Sequence, residues 1–176
     1  MTRRRFGLRL LPLAVGLAAT AGLALGGPAQ AVPAEPQCPT GPPGNDYIIG
    51  TPGNDQGAGS LCGGVGDDYI LGRAGHDSID GGAGRDTILG EGENDLIRGG
   101  AGTDYIYGGD GNDNIRGGAD SDYMYGEAGN DSIDAVNGDN GAIDYVYCGP
   151  GSDTAIVAVE DYVDASSCEV IILGVV

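Results

Sequence analysis

Aspartate recurs at a fixed interval along this 176-residue chain. Asp46, Asp55, Asp68, Asp77, Asp86, Asp95, Asp104, Asp113, Asp122, Asp131, Asp144 and Asp153 each stand sixth in a nine-residue unit that opens on glycine in most copies. Eight units run without a gap from Gly63 to Asp134. Two precede them, from Gly41 and Gly50, and the four residues Gly59 to Cys62 separate these from the block. A second four-residue step, Ala135 to Gly138, leads to two eroded units, Asp139 to Tyr147 and Cys148 to Ile156. Carboxylates beside glycine carbonyls are hard oxygen donors, a set that suits a hard divalent cation at six or more positions. Zinc and copper are poorly served, because His76 is the single histidine and the four cysteines lie off the aspartate phase. Aspartate beside glycine also makes Asx turns, but twelve at one phase with no Asn among them point to a ligand role. An EF-hand fails: after Asp110, Asn112 and Asn114, Ile115 stands where glycine is needed and Ser121 where the bidentate Glu belongs.

The elements that position these acids follow from the other places in the unit. Place 8 is apolar in Ile48, Ile70, Ile79, Ile88, Ile97, Ile106, Ile115, Met124, Ile133, Val146 and Ala155, with Gly57 the exception. Glycines at places 1, 2 and 4 permit left-handed backbone and let carbonyls converge. The pattern predicts a tight loop feeding a three-residue strand with one side chain inward. Two units then make one coil, giving an all-β chain of two short parallel sheets. Asp68, Asp86, Asp104 and Asp122 stack along one edge, and Asp77, Asp95, Asp113 and Asp131 along the other. Neighbours ~5 Å apart repel by ~1 kcal/mol in water and by more where solvent is excluded. A dication between them reverses that sign. Calcium fits best, since Mg²⁺ holds its waters and demands octahedral geometry.

These units resemble the RTX, or haemolysin-type, calcium-binding repeats, over Gly41 to Ile156. The resemblance implies a right-handed parallel β-roll, a β-solenoid with a column of several Ca²⁺ ions on each edge. It implies that the twelve aspartates bind by their side chains, and that Gly64, Gly66, Gly75, Gly82, Gly84, Gly100, Gly102, Gly109, Gly111, Gly118 and Gly129 bind by their carbonyls. Carried over by position, the best sites involve Asp68, Asp77, Asp86, Asp104, Asp113 and Asp131. Glu93 and Asp120 replace the fourth-place glycine beside Asp95 and Asp122, and Asp139, Asn140 and Ala142 depart from the pattern beside Asp144. In such a roll Cys62 and Cys148 lie about four coils, or ~20 Å, apart, beyond disulfide reach. Of the three connectivities open to four cysteines, local pairing is favoured, Cys38–Cys62 and Cys148–Cys168, each closing one end of the rod. Residues 32–62 then read as an N-terminal cap with the first repeats, 63–134 as the contiguous block, 135–156 as interrupted repeats and 157–176 as a C-terminal cap. Solenoid ends need such protection against edge pairing.

The basic residues Arg3, Arg4, Arg5 and Arg9, the apolar run Leu10 to Leu25 and the small residues Ala29 to Ala31 make a signal-peptide pattern over residues 1–31. Thr2 to Phe6 also resembles a twin-arginine signal, so the export route stays open. A secreted, extracellular protein is the expectation, and paired cysteines suit that compartment. With 26 acids against 8 basic residues, a formal charge of −18, no basic face exists for nucleic acid or anionic lipid. No seven-residue tail such as Val170 to Val176 spans a membrane. His76 sits at the variable fifth place of a loop, and no nucleophile motif or phosphate-cradling fingerprint occurs, so no enzyme is expected. Places 7 and 9 point outward. On one sheet they hold Tyr69, Leu71, Leu89, Tyr105, Tyr107, Tyr123, Tyr125, Tyr145 and Tyr147. Cross-strand stacking explains such a face, and so does a surface for a cell-surface or protein partner. The expectation is a secreted calcium-binding protein that folds cooperatively with its ions; the alternative is an extracellular adhesion protein on a calcium-stiffened scaffold.

Overall fold

The computed structural model describes residues 43–56, 60–136, 138 and 140–174, all within one compact unit, Pro33–Val176. The expected leader, residues 1–31, and Cys38 lie outside the described residues. Among the described residues the regular elements are fourteen β-strands. The first sheet holds β1 (Tyr47–Ile49), β3 (Tyr69–Ala74), β5 (Thr87–Gly92), β7 (Tyr105–Asp110), β9 (Tyr123–Ala128), β11 (Tyr145–Tyr147) and β13 (Tyr162–Val163). The second holds β2 (Leu61–Val65), β4 (Ser78–Ala83), β6 (Leu96–Ala101), β8 (Asn114–Ala119), β10 (Ser132–Asp134), β12 (Thr154–Val157) and β14 (Val170–Leu173). Odd strands pair only with odd and even only with even, all parallel, which makes a two-sheet β-solenoid.

One coil is 18 residues in the block, as in Asp80↔Arg98↔Arg116 and Leu71↔Leu89↔Tyr107. Strands β3 to β9 are six residues each, not three. They run on through the first three places of the next unit, so that Gly82 pairs with Gly100 and Gly109 with Glu127. A glycine has no side chain to announce a strand, but its backbone N–H and C=O still need partners, and the next coil supplies them. Between the strands, the fourth-place N–H donates to the third-place carbonyl one coil on, as Gly84 does to Ala101 at 2.8 Å. The seventh-place N–H donates back to the aspartate carbonyl one coil earlier, as Tyr105 does to Asp86 at 2.9 Å.

The core is two columns of place-8 side chains meeting between the sheets. Ile70, Ile79, Ile88, Ile97, Ile106, Ile115, Met124, Ile133 and Val146 are fully buried. Gly57 lies outside the described residues, and the inward position expected of it is held by Leu61, which pairs with Ile79. The four-residue step before the block therefore slides an apolar residue into the core and lengthens that coil, Tyr47 pairing with Tyr69. The step after Asp134 lengthens another coil in the same way, with Asp122 bonded to Asp144, 22 residues on. Beyond Val157 the sequence pattern fades but the coil does not. Tyr162 pairs with Tyr145 and Ile171 with Ala155, adding one further coil that the Cys148–Cys168 disulfide crosses. Cys62 is also disulfide-bonded. Val170 to Leu173 are exposed at this end.

Candidate metal centre

The turns between the sheets bury ten of the twelve sixth-place aspartates, Asp68 to Asp153, and leave Asp46 and Asp55 half-buried. On one edge the N–H of Asp46 donates to Asp68 Oδ1 at 2.7 Å. The same bond then runs from Asp68 to Asp86, Asp86 to Asp104, Asp104 to Asp122 and Asp122 to Asp144, at 2.8–2.9 Å. On the other edge it runs from Asp55 through Asp77, Asp95, Asp113 and Asp131 to Asp153, at 2.7–2.9 Å. Each Oδ1 thus ties its coil to the one before. The fifth place braces the loops in the opposite direction: Asn54 Oδ1 accepts from the His76 N–H, Asn94 Oδ1 from Asn112, Asn112 Oδ1 from Asn130 and Asn130 Oδ1 from Ser152. His76 belongs to this ladder, its Nδ1 3.0 Å from the Asn94 N–H. The fifth place is a structural rung with Asn recurring in it, and that recurrence is the signal the sequence carried.

The second carboxylate oxygen is the functional observation. Oδ2 of Asp46, Asp68, Asp77, Asp86, Asp95, Asp104, Asp113, Asp122, Asp131, Asp144 and Asp153 is buried and has no hydrogen-bond partner. A buried, uncompensated carboxylate oxygen is costly, and native chains satisfy such atoms with a donor or a cation. Asp55 is the exception: the Thr51 N–H donates to its Oδ2 at 2.7 Å. Among the described residues no three His, Cys, Asp or Glu side chains converge on a metal position, so carbonyls must complete any coordination shell.

Carbonyls are in place to do so. Over the first-place glycine of a unit, the Oδ2 of that unit's aspartate and the first-place carbonyl of the next coil converge. A Cβ on Gly99 would lie 2.5 Å from Asp104 Oδ2 and 2.6 Å from the Gly117 oxygen, and one on Gly72 2.9 Å from Asp77 Oδ2 and 2.7 Å from the Gly90 oxygen. An orphan Oδ2 and a next-coil carbonyl share such a cradle at Asp68, Asp77, Asp86, Asp95, Asp104, Asp113 and Asp131. Asp95 belongs to this set although Glu93 replaces glycine in its loop with φ 71°. Asp122 differs: β10 stops at Asp134, and the three atoms nearest a Cβ on Gly117 all belong to Asp122, with no next-coil oxygen as close as in the other cradles. At Asp153 the first-place residue is Cys148, whose side chain stands where glycine leaves space. The expected carbonyl donors Gly64, Gly66, Gly75, Gly82, Gly84, Gly100, Gly102, Gly109, Gly111, Gly118 and Gly129 all have positive φ. Among them the oxygens of Gly64, Gly82 and Gly100 face Gly82, Gly100 and Gly118 of the next coil, closer than a Cβ tolerates.

Burial also sets the charge. Desolvation is the largest influence on each shifted ladder acid, with neighbouring carboxylates adding to it and a backbone N–H opposing it. It pushes Asp95 and Asp122 up to about 8, Asp104 to about 7, and Asp77, Asp86, Asp113 and Asp131 to about 6, from 3.8. Without a cation near them these groups hold protons that free aspartate would release.

Two ligand-like acids were not visible in the repeat. Asp161 Oδ1 accepts from the Asp144 N–H at 3.1 Å, and Glu169 Oε2 from the Asp153 N–H at 2.7 Å. They extend both ladders into the last coil at spacings of 17 and 16 residues, out of phase with the nine-residue rhythm. Asp161-Tyr162-Val163 does echo Asp144-Tyr145-Val146.

The outward tyrosines form two columns on the first sheet. Tyr105, Tyr123 and Tyr145 stack at 4.7–4.8 Å between centroids, and Tyr107, Tyr125 and Tyr147 at 4.8–4.9 Å, with planes within 7°. Tyr69 stacks instead on Tyr47, and Leu71 and Leu89 continue the ninth-place column. The rings turn their faces to each other, which is the cross-strand stabilisation of a parallel ladder. What the columns present outward is mostly ring edges and hydroxyls.

A parallel two-sheet solenoid with buried carboxylates stacked at both edges and glycine carbonyls beside them defines a cation-binding β-roll. The chain matches the model of the RTX calcium-binding nonapeptide repeat (4 copies) over residues 41–60, 63–97, 82–115, 98–133 and 107–142, more than half its length, and belongs to that family. No curated protein and no solved structure matches it.

Proposed function

We propose that the chain is a secreted calcium-binding protein that folds cooperatively as the ions fill its two edges, and that it carries out no catalysis. One observation carries this reading: eleven carboxylate oxygens are buried without a donor, in two columns. Calcium supplies the missing partner at every level at once. Binding at one cradle orders the loop that forms half of the next, so occupancy and folding rise together. Each site stabilises the folded chain by about 2.7 kcal/mol at a hundredfold excess of calcium over Kd. Extracellular sites are weak, about 10⁻⁴–10⁻³ M, which lets the coil form only after export. The disulfide closing the last coil supports an oxidising compartment. The mutual stacking of the tyrosine rings supports a scaffold role for that face rather than adhesion. The test is calorimetric titration of the oxidised chain with CaCl₂ and separately with MgCl₂. Several calcium ions bound in a steep transition, with Mg²⁺ failing at the same concentration, is the expected result. A single ion, or equal response to Mg²⁺, overturns the reading.

A further inference from the structure

The last of the seven cradles differs from the rest in one ligand. Over Asp131 the carbonyl of the next coil belongs to Cys148 rather than to a glycine, and it faces Gly126 together with Asp131 Oδ2. The six other carbonyls sit within strands paired to neighbouring coils, as Gly117 does in β8. Cys148 lies just past β11, whose pairing with β9 ends at Tyr147↔Tyr125. Two bonds into the terminal coil hold it instead. One is the disulfide to Cys168, and the other is its N–H donated to Ser167 Oγ at 3.1 Å. The same coil pins the loop from below, since the Asp131 N–H donates to Asp153 Oδ1 and the Asp153 N–H to Glu169 Oε2, both at 2.7 Å. This coil lies beyond residue 142, where the family match ends.

We propose that Asp131 and the Cys148 carbonyl form a divalent-cation site whose affinity is set by the Cys148–Cys168 disulfide, so that binding at this site responds to reduction of that bond. The inference rests on the calcium reading above. A dithiol delivers two electrons and two protons to the S–S bond, is itself oxidised to a disulfide, and leaves Cys148 and Cys168 as thiols. The Cys148 carbonyl is then free to swing away from Asp131, and the site weakens. Linkage makes the effect reciprocal: a bound ion protects the disulfide from reduction.

The test uses the whole oxidised chain in saturating CaCl₂, with dithiothreitol reduction of each cysteine followed by alkylation and peptide mass spectrometry. Asp131→Asn is expected to speed reduction of Cys148–Cys168 by about tenfold, the usual loss when support around a metal is removed. Asp86→Asn, which empties a cradle on the opposite edge, is expected to leave that rate within about twofold, because sites that share no partners act independently. In the binding arm, Cys148→Ser with Cys168→Ser should weaken one site about tenfold, and in an Asp131→Asn background, where that site is already lost, the same pair should weaken no other site on that edge. Equal rates in Asp131→Asn and wild type, equal acceleration by the two aspartate variants, or an equal weakening by the serine pair with and without Asp131 each overturn the proposal while leaving calcium binding intact. A wild-type chain that binds no calcium overturns both.

Discussion

Gly99→Ala isolates the cradle from every other role of glycine. Gly99 is not among the glycines with positive φ, so alanine brings no backbone strain there. Its Cβ would nonetheless stand 2.5 Å from Asp104 Oδ2 and 2.6 Å from the Gly117 carbonyl oxygen, against a floor of 3.0 Å for real Cβ contacts. Both oxygens must retreat by about half an ångström, and the carbonyl belongs to β8, which is paired with β6 before and after Gly117, so overpacking of about 1–3 kcal/mol is expected. For a chain of this size that lowers Tm by about 3–10 °C. The same displacement separates the two oxygens offered to a cation, so one calcium site is lost as well. Gly92→Ala is the control: its nearest neighbour, the Arg73 oxygen, lies at 3.7 Å, and the effect should stay within about 0.5 kcal/mol. Thermal melts and calcium titrations of both variants in CaCl₂ decide the matter. If Gly99→Ala melts and binds like Gly92→Ala, the cradle argument is wrong.

Three further outcomes follow from the same geometry. Asp104→Ala should remove one calcium ion by titration and broaden the folding transition, because it also loses the Oδ1 that ties two coils together. In EGTA, acid should favour the fold: the ladder carboxyls titrate at about 6 to 8 when folded, against 3.8 unfolded. Stability from that source is complete below about pH 4 and is lost as pH rises through 6 to 8. Circular dichroism in EGTA should therefore gain β signal from pH 8 to 4, while calcium affinity falls over the same range; a metal-free chain that gains structure as pH rises contradicts this. Tyr123→Thr, which removes two stacked contacts with Tyr105 and Tyr145, should cost about 1–3 kcal/mol with no change in the number of ions bound. A changed ion count would show that the tyrosine face is coupled to the edges.

The aspartate ladders and the isoleucine columns were legible because one side chain type returns at one phase, and two units close one coil. The length of the strands was not. Gly82 and Ala83 read as loop, yet they pair across to Gly100 and Ala101, since backbone pairing leaves no mark in side-chain pattern. Leu61 was hidden by the four-residue step that carries it into the position expected of Gly57. Asp161 and Glu169 escaped because the last coil is shorter, and because a glutamate reaches the same N–H from a different backbone position. At Asp95 the replacement of glycine by Glu93 is carried by a positive φ of 71° at that residue, and both cradle oxygens stay in place. The different surroundings of Gly117 beside Asp122 arise one coil away, where β10 ends at the four-residue step that follows Asp134.

Far-UV circular dichroism of the oxidised chain at pH 7.5, in excess EGTA and then after addition of CaCl₂, tests the account most directly. It predicts little β signal without the ion and a steep, cooperative gain on its return. A full β signal and an unchanged melting temperature in EGTA would contradict it.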